Sequence, residues 1–256
     1  MRTDKITRPE YSLKLINQRV FRVDQDIKAL TFDVGGTVFD WQTAIQSKVR
    51  PINAVRGAEI DVPQFALDWR RRFFQLLAEV RAQKRDWCSA DVLQLASLDD
   101  IGAQYPSLEL TPKDKTDLVN VWHTMEVWED FPPAIERLRT KYRVIVLTVM
   151  SFSIVVDSSR HSGITWDGIL SGEFMRHYKP DTEAYLEAAE RLRLDPTEIM
   201  MVAAHPGDLR ASMQAGFKTA YVQPKLNEPF GFDDKDPNDF DVQADDFTDL
   251  ADQLTG

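Results

Sequence analysis

The sequence predicts an α/β protein built on a doubly wound parallel sheet, with a helical insert after the first strand. Three observations predict it. Short apolar runs occur that do not alternate with polar residues, amphipathic helical stretches lie between them, and one long interval is helical throughout.

The first run is Ala29-Leu30-Thr31-Phe32, the second Val144-Ile145-Val146-Leu147, and another Ile199-Met200-Met201-Val202-Ala203-Ala204. Runs this short, apolar at every position, suit strands covered on both faces, as in parallel sheets. Gly168-Ile169-Leu170-Ser171 and Thr219-Ala220-Tyr221-Val222 are weaker candidates. Helices are predicted between them: Pro133 to Lys141, Asp181 to Leu194 with a stripe of Ala184, Tyr185, Ala188 and Leu192, and Gly207 to Ala215. From 43 to 128 the pattern changes. Gln64 to Gln83 spaces Phe65, Trp69, Phe73, Leu76, Leu77 and Val80 for one long amphipathic helix, and Val92 to Ala103 and Lys113 to Met125 extend the helical character. The expected organisation is an N-terminal extension over 1–27, a core from 28–42 and 129–256, and a helical cap over 43–128.

Composition narrows the function classes. The chain has 256 residues and a formal charge of −10, which argues against nucleic acid and anionic membrane as partners, since both reward a basic face. Part of the acid excess falls between Asp233 and Asp246, expected to be a solvated loop. The single cysteine, Cys88, excludes an internal disulfide and argues against a thiolate metal site. With no 20-residue apolar stretch and no apolar leader in the first 27 residues, a cytoplasmic location is expected. The expected partner is a small anionic substrate, and a homodimer is left open.

In doubly wound sheets ligands bind outside the carboxyl ends of the strands. The first run ends in Asp33-Val34-Gly35-Gly36-Thr37, the second in Thr148-Val149-Met150, and the run beginning at Ile199 in His205-Pro206-Gly207-Asp208, while Lys179-Pro180 precedes the latter. A carboxylate, a hydroxyl, a lysine and a second carboxylate thus share one sheet edge. Simpler roles exist for each: Thr148 as a local backbone partner, Pro180 as the first residue of a helix, Asp208 as a helix-terminus acid, His205 as a structural imidazole. An aspartate closing an apolar strand ahead of two glycines is harder to explain that way, because the glycines let backbone approach a ligand.

These residues resemble the motifs of the haloacid dehalogenase superfamily: Asp33 to Val38 the first, Thr148 the second, Lys179-Pro180 the third and Asp208 the fourth. Each alone is unspecific; four in order over residues 28 to 253 are not. The resemblance implies a Rossmann-like core with a helical cap between the first and second motifs. Within the superfamily the chain is similar to the 2-haloacid dehalogenases, in Gly36-Thr37, in Tyr185 six residues beyond the lysine, and in Trp69-Arg70 early in the cap, with Arg71 and Arg72 adjacent. Members that handle phosphoryl groups usually carry a second aspartate where Gly35 stands and a further acid near the fourth motif, where Ala203 and Ala204 stand. Departures from the dehalogenases are Gly35 in place of an aromatic, which should widen or reshape the pocket, Val149 in place of an asparagine, and Ala203 and His205 in place of a serine and an asparagine.

The resemblance implies a carbon–halide hydrolase without cofactor, acting on a small 2-haloalkanoic acid. Asp33 would be the nucleophile, Lys179 would keep it ionised, Thr37 and Thr148 would fix carboxylates, and His205 or Asp208 would activate water. Arg70 would receive halide, with Gly36, Trp41 and Tyr185 completing the substrate site and Trp69 helping to exclude water. The alternatives are a phosphatase using Mg²⁺ on a small phosphate ester, and a non-catalytic binding domain on the same fold.

Overall fold

A computed structural model describes residues 27–226, 228 and 239–256. Most of the expected N-terminal extension, residues 1–26, lies outside the described residues, as do residues 233–238 of the acidic run. Six strands form one parallel sheet: β1 (Ala29–Phe32), β2 (Arg143–Thr148), β3 (Gly168–Ser171), β4 (Ile199–Ala203), β5 (Lys218–Val222) and β6 (Val242–Ala244), in the order β3-β2-β1-β4-β5-β6. The chain winds outward from β1 to β3, returns to β4 beside β1, and winds out the other way. A crevice therefore opens at the carboxyl ends of β1, β2 and β4.

Both faces of the sheet are covered, which is why the strands read as unbroken apolar runs. Side chains alternate across β4: Met200 and Val202 join a cluster with Leu30, Phe32, Val144 and Val146, while Ile199, Met201 and Ala203 join another with Ala184, Tyr185, Ala188 and Leu209. The five predicted strands coincide with β1 to β5 to within a residue at each end. β6 is a sixth. It falls inside the acidic run expected to be a solvated loop, and here the expectation fails. Val242 and Ala244 are buried, and Asp241 holds the Thr219 backbone N–H at 2.9 Å, so the acids flank a short edge strand.

Between β1 and β2 the named elements are all helical: α1 (Trp41–Arg56), α2 (Val62–Arg81), α3 (Ala90–Gly102) and α4 (Pro112–Asn120), with short 3₁₀ turns at Pro106–Leu108 and Val121–His123. Asp40 caps α1 by accepting from the Thr43 N–H at 2.9 Å, so Trp41 opens the first helix of this interval. The helix predicted to reach Met125 ends at Asn120 and tightens into the second 3₁₀ turn. These helices share the sheet's apolar cluster through Trp41, Ile45, Phe65, Trp69 and Trp122.

A further helix, α5 (Phe131–Arg139), leads into β2, and beyond β2 come α6 (Phe152–His161), α7 (Gly172–Met175), α8 (Thr182–Leu192), α9 (Pro206–Gln214) and α10 (Phe247–Thr255). No helix among the described residues is long and apolar enough to cross a membrane.

Candidate active site

Asp33 leaves the end of β1 with its N–H bonded to the Val202 carbonyl of β4 at 3.0 Å, which aims its side chain into the crevice. The turn that follows brings Thr37 back beneath it. Thr37 Oγ1 donates to Asp33 Oδ2 at 2.8 Å and accepts from the Ala204 N–H at 3.0 Å, so the threonine ties the first loop to the end of β4. Gly36 has φ +91°, and a Cβ there would collide with Glu228 Oε1. Gly35 is crowded in a different way. A Cβ would meet the Met150 methyl at 2.5 Å and Arg70 Nη2 at 3.3 Å. The space where the resemblance expects an aromatic is thus reshaped: Met150 and Arg70 close over it.

Lys179 places Nζ 2.9 Å from Asp33 Oδ1 and also donates to Asp208 Oδ2. The other oxygen of Asp208 accepts from the Tyr185 hydroxyl. Asp208 stands in the first turn of α9, where the helix dipole favours an acid, and it holds Lys179 as well. Pro180 does not open a helix. The Lys179–Pro180 bond is cis, and α8 begins at Thr182 after its N-cap, Asp181.

On the other side of Asp33, His205 Nδ1 lies 2.9 Å from Oδ2 and 3.4 Å from Thr37 Oγ1. Its Nε2 lies 3.4 Å from Glu228 Oε1. Glu228 accepts from the Trp41 indole N–H at 2.9 Å and stands 3.6 Å from Arg70 Nε. Arg70 donates from Nη2 to the Gly35 carbonyl at 3.0 Å and lies over the rings of Phe74 and Trp41, at 4.6 and 5.0 Å from their centroids. Its Nη1 is buried and has no hydrogen-bond partner among the described residues.

Three carboxylates, Asp33, Asp208 and Glu228, therefore face the buried Lys179 and Arg70 and the part-buried His205. Burial opposes the charge on Asp33, but Lys179 and then His205 outweigh it and hold the carboxyl far below its usual range. Burial likewise opposes the His205 charge, yet the hydrogen bonds to Asp33 and Glu228 lift it to about 10. A histidine set between two carboxylates holds its proton more firmly than a free imidazole does. Lys179 is raised too, because Asp208 and Asp33 overcome its burial. Glu228 is lowered by Arg70 and His205 against the effect of burial.

A cavity of about 330 Å³ opens above Asp33. Asp33, Thr148, Lys179, His205 and Asp208 form its polar floor, with Arg70 on the wall and Phe74, Leu77, Ala78, Val149 and Met150 supplying apolar surface. Thr148 faces it while its Oγ1 accepts the Met150 N–H at 3.0 Å, so it both lines the cavity and turns the local backbone. Some predicted residues stand back. Tyr185 is fully buried behind Asp208, and Trp41 lies under Arg70. Trp69 is also remote from the cavity wall: its indole N–H is bonded to Ser97 Oγ at 3.0 Å, so it packs α2 against α3. Of the three consecutive arginines only Arg70 turns inward; Arg71 pairs with Asp68 and Arg72 with Asp100 on the outside. Glu228 was missed from sequence, although it follows β5 by six residues and so belongs to a strand-end loop.

A magnesium site fits this arrangement poorly. All four oxygens of Asp33 and Asp208 already accept from Lys179, Thr37, His205 or Tyr185, whereas a hard cation needs several free oxygen ligands. Among the described residues no other group of acids, histidines or cysteines gathers into a metal-ligand set.

The class so defined is a doubly wound α/β protein with an aspartate at the end of its first strand, a lysine and a second aspartate beside it, and helices inserted above. The family model of haloacid dehalogenase-like hydrolases matches residues 27–216, and the chain belongs to that family. The (S)-2-haloacid dehalogenase 4A of Burkholderia cepacia is 24% identical over 207 residues, covering 79% of this chain and 86% of the relative. A defluorinating L-2-haloacid dehalogenase of known crystal structure is 31% identical, with a TM-score of 0.82 over 90% of this chain and 96% of its own. Another L-2-haloacid dehalogenase is 29% identical, with a TM-score of 0.82 over 89% and 98%.

Proposed function

We propose that this hydrolase removes halide from a small 2-haloalkanoic acid, through an aspartyl ester on Asp33 and without a metal. The observation that carries the reading is a carboxylate, fixed by Lys179, Thr37 and His205, in a cavity with apolar walls and one buried guanidinium. A carboxylate attacking carbon needs no proton removed first, so its depressed pKa keeps it available at neutral pH. Thr37 and the cations leave it little rotational freedom, which favours in-line attack on C2 of the substrate. Arg70 lines the cavity, and its guanidinium, whose Nη1 has no hydrogen-bond partner among the described residues, supplies an N–H for the departing halide. The apolar walls exclude water and strengthen both interactions. The relatives named for (S)- or L-2-haloacids support the same substrate class for this chain.

Water then cleaves the ester. Asp208 is poorly suited as base, because both its oxygens are held by Lys179 and Tyr185. His205 touches the Asp33 carboxylate directly and is the better candidate once esterification removes the negative charge beside it. Halide release from chloroacetate and 2-chloropropionate, with EDTA present, tests the reading in wild type and Asp33→Asn. The expected result is release that needs Asp33 and ignores EDTA. Release of phosphate from phosphate esters with Mg²⁺ and no halide release would replace it with the phosphatase reading. Silence in both would favour a binding domain.

A further inference from the structure

One buried carboxylate at the site has no part in the reaction sequence above. Glu228 lies against Gly36, is anchored by the Trp41 indole N–H at 2.9 Å and by Arg70 Nε at 3.6 Å, and faces His205 Nε2 at 3.4 Å. His205 thus meets a carboxylate oxygen at each ring nitrogen, Asp33 at Nδ1 and Glu228 at Nε2. A neutral imidazole donates from one nitrogen only, so one carboxylate would then face a lone pair; the doubly protonated ring satisfies both.

We infer that Glu228 is the positioning residue of a water–His205–Glu228 relay, holding the Nε2 proton so that Nδ1 is the nitrogen freed when Asp33 becomes an ester. The inference rests on the aspartyl-ester reading. In the first step the bond from Asp33 to C2 forms, the carbon–halogen bond breaks, and halide leaves with the electron pair. The Asp33 side chain is now a neutral ester. Nδ1–H has lost its carboxylate partner while Nε2–H keeps Glu228, so the Nδ1 proton is the one that departs to solvent. It accounts for the single proton that hydrolysis of a 2-haloacid anion releases. In the second step water adds to Cγ of Asp33 as Nδ1 takes one of its protons. The tetrahedral intermediate expels the 2-hydroxyacid oxygen, which receives the other proton. The water oxygen stays on Asp33, and the carboxylate and the imidazolium are both restored. Glu228 stabilises the charge that forms on the ring in this step, as the third member of a nucleophile–base–carboxylate arrangement does.

A simple counter-ion to Arg70 would behave differently, because loss of Glu228 would then disturb halide departure. The two roles separate in a rapid-quench experiment with 2-chloropropionate, reading halide release and the mass of the Asp33 peptide in wild type, Glu228→Gln, His205→Gln and the double variant. The relay predicts that Glu228→Gln retains a halide burst near one equivalent, slows subsequent turnover by roughly 10²-fold, and accumulates ester on Asp33. His205→Gln should accumulate the same ester, and the double variant should be no slower than His205→Gln. Unchanged turnover with an unmodified Asp33 peptide in Glu228→Gln would overturn the relay. So would loss of the burst itself, or independent, multiplicative effects of the two substitutions. Absence of halide release from wild type would instead overturn the ester reading and the relay with it.

Discussion

The two oxygens of Asp33 face unlike surroundings. Oδ1 meets Lys179, which is braced by Asp208 and in turn by Tyr185, a chain of charged and hydroxyl groups closed at every link. Oδ2 meets Thr37 and His205, and His205 leads to Glu228, Trp41 and Arg70 beside the cavity. The first flank is made wholly of residues that the family resemblance supplies. The second departs from it, with His205 where an asparagine is common, and it recruits a glutamate from outside the motifs. The difference suggests a division of labour: the Lys179 flank holds the nucleophile charged through the first step, and the His205 flank changes its charge between steps.

Lys179→Met should break the first flank and give the larger effect. It leaves Asp33 and Asp208 buried without their shared cation, so kcat/KM for halide release should fall by about 10³-fold. Stability should fall by about 3–5 kcal/mol, read from denaturant melts. A fall in stability with activity retained would show that the lysine only balances charge in the fold.

The second flank is sharpened by pH. His205 is raised from 6.5 to about 10 in the folded protein, so its contribution to stability is complete below the unfolded value of 6.5 and is lost as pH climbs toward about 10. Asp33 is depressed, so its contribution is present above the unfolded value of 3.8 and is lost as pH falls below it. Among the groups facing the ring are Asp33, Thr37 and Glu228. Wild type should therefore exceed His205→Gln by about 2 kcal/mol near pH 5–6, with the margin shrinking steadily toward pH 10. Chemical melts across that range check it, and a margin independent of pH would mean that the ring is uncharged in the folded protein.

Much of the sheet was legible because burial on both faces leaves an unmistakable apolar run, as at Val144–Leu147. β6 was hidden because three residues among acids carry no such signal, and α10, which begins directly after the acidic run, went unread with it. At the site, Asp33, Thr148, Lys179 and Asp208 were found because strand ends are where a doubly wound sheet gathers chemistry, and the structure brings them together around one cavity. Which of the three arginines turns inward was not legible, since Arg70, Arg71 and Arg72 carry the same side chain and only the rotation of α2 separates them. Glu228 was invisible for another reason. It stands on a connection, outside any periodic pattern, and only the packing of Gly36 and Trp41 against it reveals its place. The charge state of His205 likewise depends on two carboxylates far from it in sequence, so no reading of the histidine alone could give it.

The central claim, that Asp33 is alkylated and then hydrolysed, is tested most directly by a single turnover with enzyme in excess over 2-chloropropionate, in water enriched in heavy oxygen. The account predicts heavy oxygen in the Asp33 carboxylate and ordinary oxygen in the product hydroxyl, because water attacks the ester carbonyl carbon. Heavy oxygen in the hydroxyl with an unlabelled Asp33 would contradict it, showing that water displaces halide directly and that Asp33 serves only as a base.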